Sequence, residues 1–372
     1  MKININLQPV NYKGSGIAKF ANELINYISQ FESYEIQGVF NYVRHIKKED
    51  LCRFNFPIYY SYIPYKLIYN NYIQKTLPLN YSHIAGKKAD INLFFTYRIP
   101  KVKYSGITIS TIHDIIPLKT EVESTQIVTN YLNDIKYAAQ YSDYIITVSE
   151  NSKKDIIETL NCSPKKIIVI PNGVNYEEFN VPIPKNQIEN IKKKYHLPNK
   201  FILYMGGMRK HKNVDKLIKA YSKLDSQIKN EYNLIISQGT TELRNLVTKL
   251  GQNEYINFTP FIEEQDKVAV YQAANLFVFI SSYEGFGIPV IEAQAAGTPV
   301  LTSSTSSLLE IGLGSTLQVS PNDINAISEQ IKTALLDQNL QKDLIEKGFI
   351  NAQKYSWEAA GEKLRQFLNN IK

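Results

Sequence analysis

The chain has 372 residues and a mass of 42.6 kDa, 44% of it hydrophobic and 21% charged. That length calls for two domains, and the composition excludes a disordered chain. The net charge of +7 is uneven: residues 36–104 hold 11 Lys+Arg against 3 Asp+Glu, and the remainder is close to neutral at 31 against 32.

The basic segment also carries 10 of the 26 tyrosines, a combination that attracts anions and amphipathic surfaces. Nucleic acid, an anionic membrane or a phosphorylated substrate would each suit it, and composition alone does not choose.

In chain order, KININLQ (2–8) reads as a strand. Residues 17–31 place apolar side chains at 17, 20, 21, 24, 25, 28 and 31, a helical stripe. GITISTI (106–112), YIITV (144–148) and IIVI (167–170) read as buried strands. Residues 180–200 are polar, with three prolines and a lysine run, and read as a linker plus a short helix. The pattern then restarts with FILYMG (201–206), NLIIS (233–237), YINF (255–258), LFVFIS (276–281) and TPVLTS (298–303). Helices fit at 213–224 and 265–274, and SWEAAGEKLRQFLNNI (356–371) closes the chain as an amphipathic helix. Buried strands alternating with helices predict an α/β protein with parallel sheets.

The expected domains are 1–182 and 183–355, with 356–372 folding back on the first. No span of 18 apolar residues occurs, and the opening decapeptide has no apolar signal core. Cys52 and Cys162 are too few for a disulfide framework or a Cys-rich metal site. A cytoplasmic chain is expected.

Ligands of open α/β sheets bind beyond the carboxyl ends of the strands, so the chemistry is sought there. After the strand ending at Ser281 comes the turn Glu284-Gly285-Phe286-Gly287-Ile288-Pro289, with Pro289 suited to a first helical turn. Such a turn aims backbone N–H groups at a phosphate. Glu284 and Glu292 flank it, and carboxylates accept hydrogen bonds from hydroxyls. A phosphate cradle between two hydroxyl acceptors describes a nucleotide sugar; the bland alternative is a surface turn with two solvated glutamates.

GGMRKHKN (206–213) sets Arg209, Lys210 and Lys212 at a strand-to-helix junction, where they would hold a diphosphate or merely cap the sheet. His113, in TIHDIIP (111–117), follows a buried strand and is either a cleft residue or a core histidine bonded to backbone. His45, His83, His196 and His211 lack that setting. NYKGSGIAKF (11–20) permits close backbone approach to a ligand, with Gly16 in its second glycine position. Lys19 stands where a dinucleotide fingerprint would have its third glycine, and no ribose-binding acid follows. P-loop, Asp-x-Asp and zinc spacings are absent from the sequence.

Together the loop 14–16, HD at 113–114, ITVSENSKKDI (146–156), VIPNGVNYEEF (169–179), GGMRKHKN, Glu284 and Glu292 in E-x7-E spacing, and the SWE helix resemble the family 4 glycosyltransferases of GT-B fold, the group 1 enzymes of bacterial polysaccharide synthesis. The resemblance spans nearly the whole chain. It implies two Rossmann-like domains facing a central cleft and retaining transfer of a hexose of mannose, rhamnose or glucose type from a nucleotide-diphosphate sugar. The acceptor would be a hydroxyl of a glycan, in lipid-linked form. No cofactor and no metal would be needed.

By the same resemblance, Glu292 holds the nucleotide ribose and Glu284 the donor-sugar hydroxyls. Gly285, Phe286, Gly287 and Ile288 offer backbone amides to the donor. Arg209 and Lys212 hold the diphosphate, His113 lies near the reacting end of the sugar, and Gly16 lies near the phosphate and acceptor. Asn172, Gly173 and Ser149 match structural positions.

The chain departs from the pattern at Gly206-Gly207, where relatives have G-R, at Pro260 in FTPF, and in GSTLQVSP (314–321). The basic segment 36–104, with Lys66 and Lys75 among tyrosines, is expected to touch an anionic inner leaflet, or to be an exposed region of biased composition. A non-catalytic partner subunit and a nucleic-acid-binding protein are the rival readings, the second leaving Glu284, Glu292 and His113 without a role. A sucrose- or phosphate-using transferase of similar fold is the rival among enzymes.

Overall fold

The computed structural model describes residues 1–11, 15–41, 51, 53–69, 79–121 and 124–371. These divide into two compact units. The first comprises Met1–Leu118, Val122–Pro171 and Trp357–Lys372, and the second Lys119–Glu121 and Asn172–Ser356. The change of unit at 171/172 falls ahead of the expected boundary at 182.

The first unit contains β1 (Lys2–Asn6), β2 (Glu35–Asn41), β3 (Ile58–Ser61), β4 (Ile91–Phe94), β5 (Ile107–Thr111), β6 (Tyr144–Thr147) and β7 (Ile167–Val169), in the order β3-β2-β1-β4-β5-β6-β7. Every pairing is parallel, for example Ile5 beside Gly38 on one side and Leu93 on the other. A strand in the middle of such a sheet is covered on both faces, so its apolar run need not alternate. Order reverses between β1 and β4, which places a switch point at the ends of those two strands.

Helix α1 (Gly16–Ile28) follows β1. Ser15 caps it, its Oγ accepting from Ala18 N at 3.1 Å, and Phe20, Leu24, Ile25 and Ile28 are buried along one stripe. The second unit contains β8 (Phe201–Tyr204), β9 (Asn233–Ser237), β10 (Ile256–Thr259), β11 (Leu276–Phe279), β12 (Val300–Ser303) and β13 (Leu317–Val319), all parallel in the order β10-β9-β8-β11-β12-β13. Its switch point lies between β8 and β11. Helix α2 (Val214–Ser222) follows β8, and α3 (Ile288–Ala295) follows β11.

The closing helix α4 (Trp357–Asn370) is an integral part of the first unit. Gly361 lets it approach α1, since a Cβ there would lie 2.2 Å from Tyr27. Tyr27 donates to Glu362 at 3.2 Å and Tyr34 to Asn369 at 2.8 Å, while Phe20 meets the Trp357 ring edge-on at 6.4 Å.

The polar stretch 180–200 is not a free linker. Helix Lys185–Tyr195 packs in the second unit, where Tyr195 and Lys194 both bond Asp266 at 2.6 Å. Val174 N donates to Tyr355 O at 2.8 Å, so the segment entering the second unit runs beside the one leaving it. Ser149 caps the helix Glu150–Leu160, a structural role.

The basic segment is partly neutralised within its own unit. Lys87 pairs with Glu35 at 3.0 Å, and Arg98 and Lys101 pair with Asp134 at 3.1 and 3.4 Å. Both acids lie outside 36–104. Lys75, Cys52 and His45 are outside the described residues.

Candidate donor site and a strand-end histidine

The second unit brings its two signals together at the switch point. Because β8 and β11 are neighbours, the loops that leave their carboxyl ends diverge around one spot. Hydrogen bonds tie those loops. Ser282 N donates to His211 O at 2.8 Å, Asn213 Nδ2 to Ile280 O at 2.9 Å, and Lys212 Nζ to Glu284 Oε1 at 2.5 Å. Asn213 adopts the left-handed region (φ 55°), which asparagine tolerates, and this lets α2 start immediately after the basic turn Lys210–Lys212.

Lys212 and Glu284 form a largely desolvated ion pair, their side chains 16% and 9% exposed. Lys212 Nζ also sits 5.2 Å from the centroid of Phe279, which is stacked with Tyr204 at 6.0 Å. The Tyr204 hydroxyl donates to Gly207 O at 2.7 Å. Burial, and secondarily the Glu284 charge, push its ionisation above the ordinary tyrosine range.

Glu292 is buried five residues into α3 and accepts from the Tyr271 hydroxyl at 3.2 Å. Burial and then Glu292 raise that phenol's ionisation well above normal. Neither glutamate is therefore a solvated surface residue. Arg209 is exposed and makes no salt bridge with a described residue.

The turn before α3 is braced from β12 and its loop, a run of hydroxyl residues with no part in the sequence expectations. Thr302 Oγ1 donates to Phe279 O at 2.8 Å, Ser303 Oγ to Ser281 O at 2.5 Å and Thr305 Oγ1 to Ser282 O at 3.2 Å. Ser306 Oγ accepts from Glu284 N at 3.0 Å, and Ser307 Oγ lies within 2.9 Å of both Glu284 O and Phe286 O.

Gly287 adopts φ 120°, and a Cβ there would meet Leu308 at 2.5 Å, so only glycine fits. The Phe286 ring packs edge-on against Tyr355 at 5.4 Å, which leaves its backbone rather than its ring for a ligand. No side chain caps the start of α3. Its first amides, with Lys212 and Arg209, suit an anion, and the two carboxylates suit hydroxyls.

The sequence reading passed over His211, which is buried in the basic turn. Its ionisation is lowered by burial and then by Lys212, so it is neutral near pH 7. Its bond to the loop after β11, through Ser282, is invisible until β8 is set beside β11. Among the described residues, no group of three or more His, Cys, Asp or Glu side chains is placed to hold a metal ion. No helix of the described residues is long and apolar enough to cross a membrane.

The first unit presents a different arrangement at its strand ends. His113 follows β5, its Nε2 3.4 Å from Phe95 O and its ring edge-on to Phe20 at 5.0 Å. Burial pushes its ionisation down to about 4, so the ring is neutral at pH 7. With Nε2–H directed to the carbonyl, Nδ1 is the acceptor. Gly16 is exposed as the first residue of α1.

The family model described as "Glycosyl transferases group 1" matches residues 187–351, and that described as "Glycosyltransferase Family 4" matches 77–178. The chain is 27% identical over 278 residues to the serotype-specific mannosyltransferase WbdA of Escherichia coli, covering 71% of this chain and 33% of that protein. It thus spans about a third of that relative's length. It is 32% identical to O-antigen chain mannosyltransferase B of Escherichia coli over 58% of this chain and 57% of that one.

Among solved structures, sucrose-phosphate synthase of Thermosynechococcus elongatus superposes with a TM-score of 0.74 at 18% identity, covering 100% and 99% of the chains. Anabaena HepE, in complex with UDP and glucose, gives 0.71 at 16% identity over the whole of both chains. At that identity the likeness is one of fold, and the fold is GT-B.

Proposed function

The chain belongs to the group 1 glycosyltransferases of family 4, and from that premise we propose that it is a retaining hexosyltransferase. It moves mannose, or a rhamnose- or glucose-type sugar, from a nucleotide-diphosphate donor to a glycan hydroxyl. The acceptor is lipid-linked and the product a cell-surface polysaccharide. The observation that carries this reading is the Lys212–Glu284 pair at the mouth of the uncapped Gly287 turn, with Glu292 buried one turn further on.

In this reading the diphosphate takes Lys212, Arg209 and the first amides of α3. Glu284 accepts from sugar hydroxyls, and Glu292, steadied by Tyr271, accepts from the ribose. Gly285, Phe286 and Ile288 contribute backbone. The bond between C1 and the diphosphate oxygen breaks as the acceptor oxygen bonds C1 on the same face, and the departing diphosphate takes the acceptor's proton. Catalysis rests on stabilising that leaving group with fixed cations and amides.

The mannose assignment draws support from the names of the two Escherichia coli relatives. The use of a nucleotide sugar draws it from the UDP complex of HepE. A thermal-shift screen of GDP, UDP and dTDP with their sugars tests the donor: one base and sugar should raise Tm by mass action, and no shift with any of them would sink the reading. Transfer should survive a chelator; abolition reversed by Mg²⁺ or Mn²⁺ would refute metal independence.

The peripheral-membrane reading of residues 36–104 draws on exposed Tyr59, Tyr62 and Leu67, which are 40%, 70% and 39% accessible. Co-sedimentation with anionic but not neutral vesicles is the expected result, and equal binding or none would reject it.

A further inference from the structure

The Lys212–Glu284 pair couples two halves of the proposed donor site, because the cation assigned to the diphosphate is hydrogen-bonded to the carboxylate assigned to the sugar. We propose that this pair discriminates against the bare nucleoside diphosphate in favour of the intact sugar donor, and thereby promotes release of the spent nucleotide. The proposal rests on the reading of this loop pair as the donor site.

The physical argument concerns what Glu284 is left with. A diphosphate that draws Lys212 away removes one partner of a pair whose side chains are 16% and 9% exposed. Removing one partner of a buried pair is costly, because the remaining charge stays desolvated. The backbone of Glu284 is fixed, its N–H bonded to Ser306 Oγ and its carbonyl to Ser307 Oγ, and its side chain is enclosed at 9% exposure, so the carboxylate remains poorly hydrated.

The neighbouring groups do not offset the loss. The Tyr204 hydroxyl is committed to Gly207 O, and His211 is held neutral by its burial. A carboxylate in that position also repels the phosphate oxygens that Lys212 has joined. Sugar hydroxyls supply the missing donors when the donor is intact. After transfer those hydroxyls leave with the acceptor, and the diphosphate then competes with Glu284 for one lysine.

The test compares binding of GDP with GDP-mannose, UDP with UDP-glucose and dTDP with dTDP-glucose, by calorimetry, in the wild type and in Glu284→Gln. The wild type should bind the sugar nucleotide of its base more tightly than the bare diphosphate. Glu284→Gln keeps the shape and removes the charge. It should bind the bare diphosphate about 10-fold more tightly than the wild type, a change of about 1.4 kcal/mol. It should bind the sugar nucleotide no better than the wild type, and show a correspondingly lower inhibition constant for the diphosphate product.

If Glu284→Gln does not fold, Glu284→Ala reads the same sign for the bare diphosphate. Unchanged or weaker diphosphate binding, in a protein whose wild type binds a sugar nucleotide, overturns the discrimination and leaves the donor site standing. Failure of the wild type to bind any of the six nucleotides overturns both.

Discussion

Both units set their candidate site residues at the carboxyl ends of parallel strands, but the second does so at its switch pair β8 and β11 and the first one strand beyond its own, after β5, and the electrostatic means are opposite. In the second unit the strand-end loops carry charge: Lys212 against Glu284, Glu292 beneath, and Arg209 exposed at the rim. The backbone that leads from β11 to Glu284 is held by hydroxyl-to-carbonyl bonds from Thr302, Ser303, Thr305 and Ser307. In the first unit the candidate residue, His113, is kept neutral against Phe20 and a backbone carbonyl. The difference teaches that net charge along the sequence is a poor guide to where charged side chains gather at strand ends. The excess positive charge lies in the first unit's sequence, and part of it is consumed there by Glu35 and Asp134.

The comparison can be broken first at its charged end. Lys212→Ala should lower kcat by about 10²–10³, equivalent to roughly 2.7–4 kcal/mol of transition-state stabilisation. Steady-state assays with saturating donor would measure it; a loss of less than tenfold would remove Lys212 from the leaving-group role.

The neutral end is tested by pH. The His113 native ionisation near 4 lies below the unfolded value of about 6.5, so the unfolded chain binds the proton first as pH falls. Its neutral state therefore stabilises the fold above about pH 6.5. That contribution, up to about 3 kcal/mol, should disappear as pH falls from 6.5 towards 4. Denaturant unfolding of the wild type and His113→Phe across that window should show a shallower pH slope in the variant. Parallel slopes would mean that His113 is solvated.

Smaller effects sharpen the role of the braced turn. Gly287→Ala forces a side chain into φ 120° and against Leu308, and should cost about 2–3 kcal/mol of stability together with nucleotide binding. Ser307→Ala removes the hydroxyl shared by Glu284 O and Phe286 O, and should cost about 1–2 kcal/mol. Tm and the midpoint of denaturation read both, and a Ser307→Ala protein as stable as the wild type would show the brace to be dispensable.

Much of this was legible in the residues. The second unit's strands at 201–204, 233–237, 256–259, 276–279 and 300–303 fall where the apolar runs predicted them, and E-x7-E and HKN lie at the ends of β11 and β8. The first unit was harder. Strands β2, β3 and β4 lie inside or beside the basic, tyrosine-rich segment, and its composition masks short apolar runs such as Ile91–Phe94. The hydroxyl run at 302–307 has no periodicity to announce it, and its significance depends on β12 lying against β11.

By itself the sequence determined the alternation of strands and helices, the glycine-rich turn at 284–289, and the supply of carboxylates and cations near strand ends. These follow from local propensity and from the chemistry of single side chains. Only the tertiary structure decided that Lys212 meets Glu284 across 72 residues of chain, that His211 is buried beside them and that Lys101 is spent on Asp134. Strand order is the reason. Which strand becomes the neighbour of which is settled by packing between distant segments, and no local period in the chain encodes it.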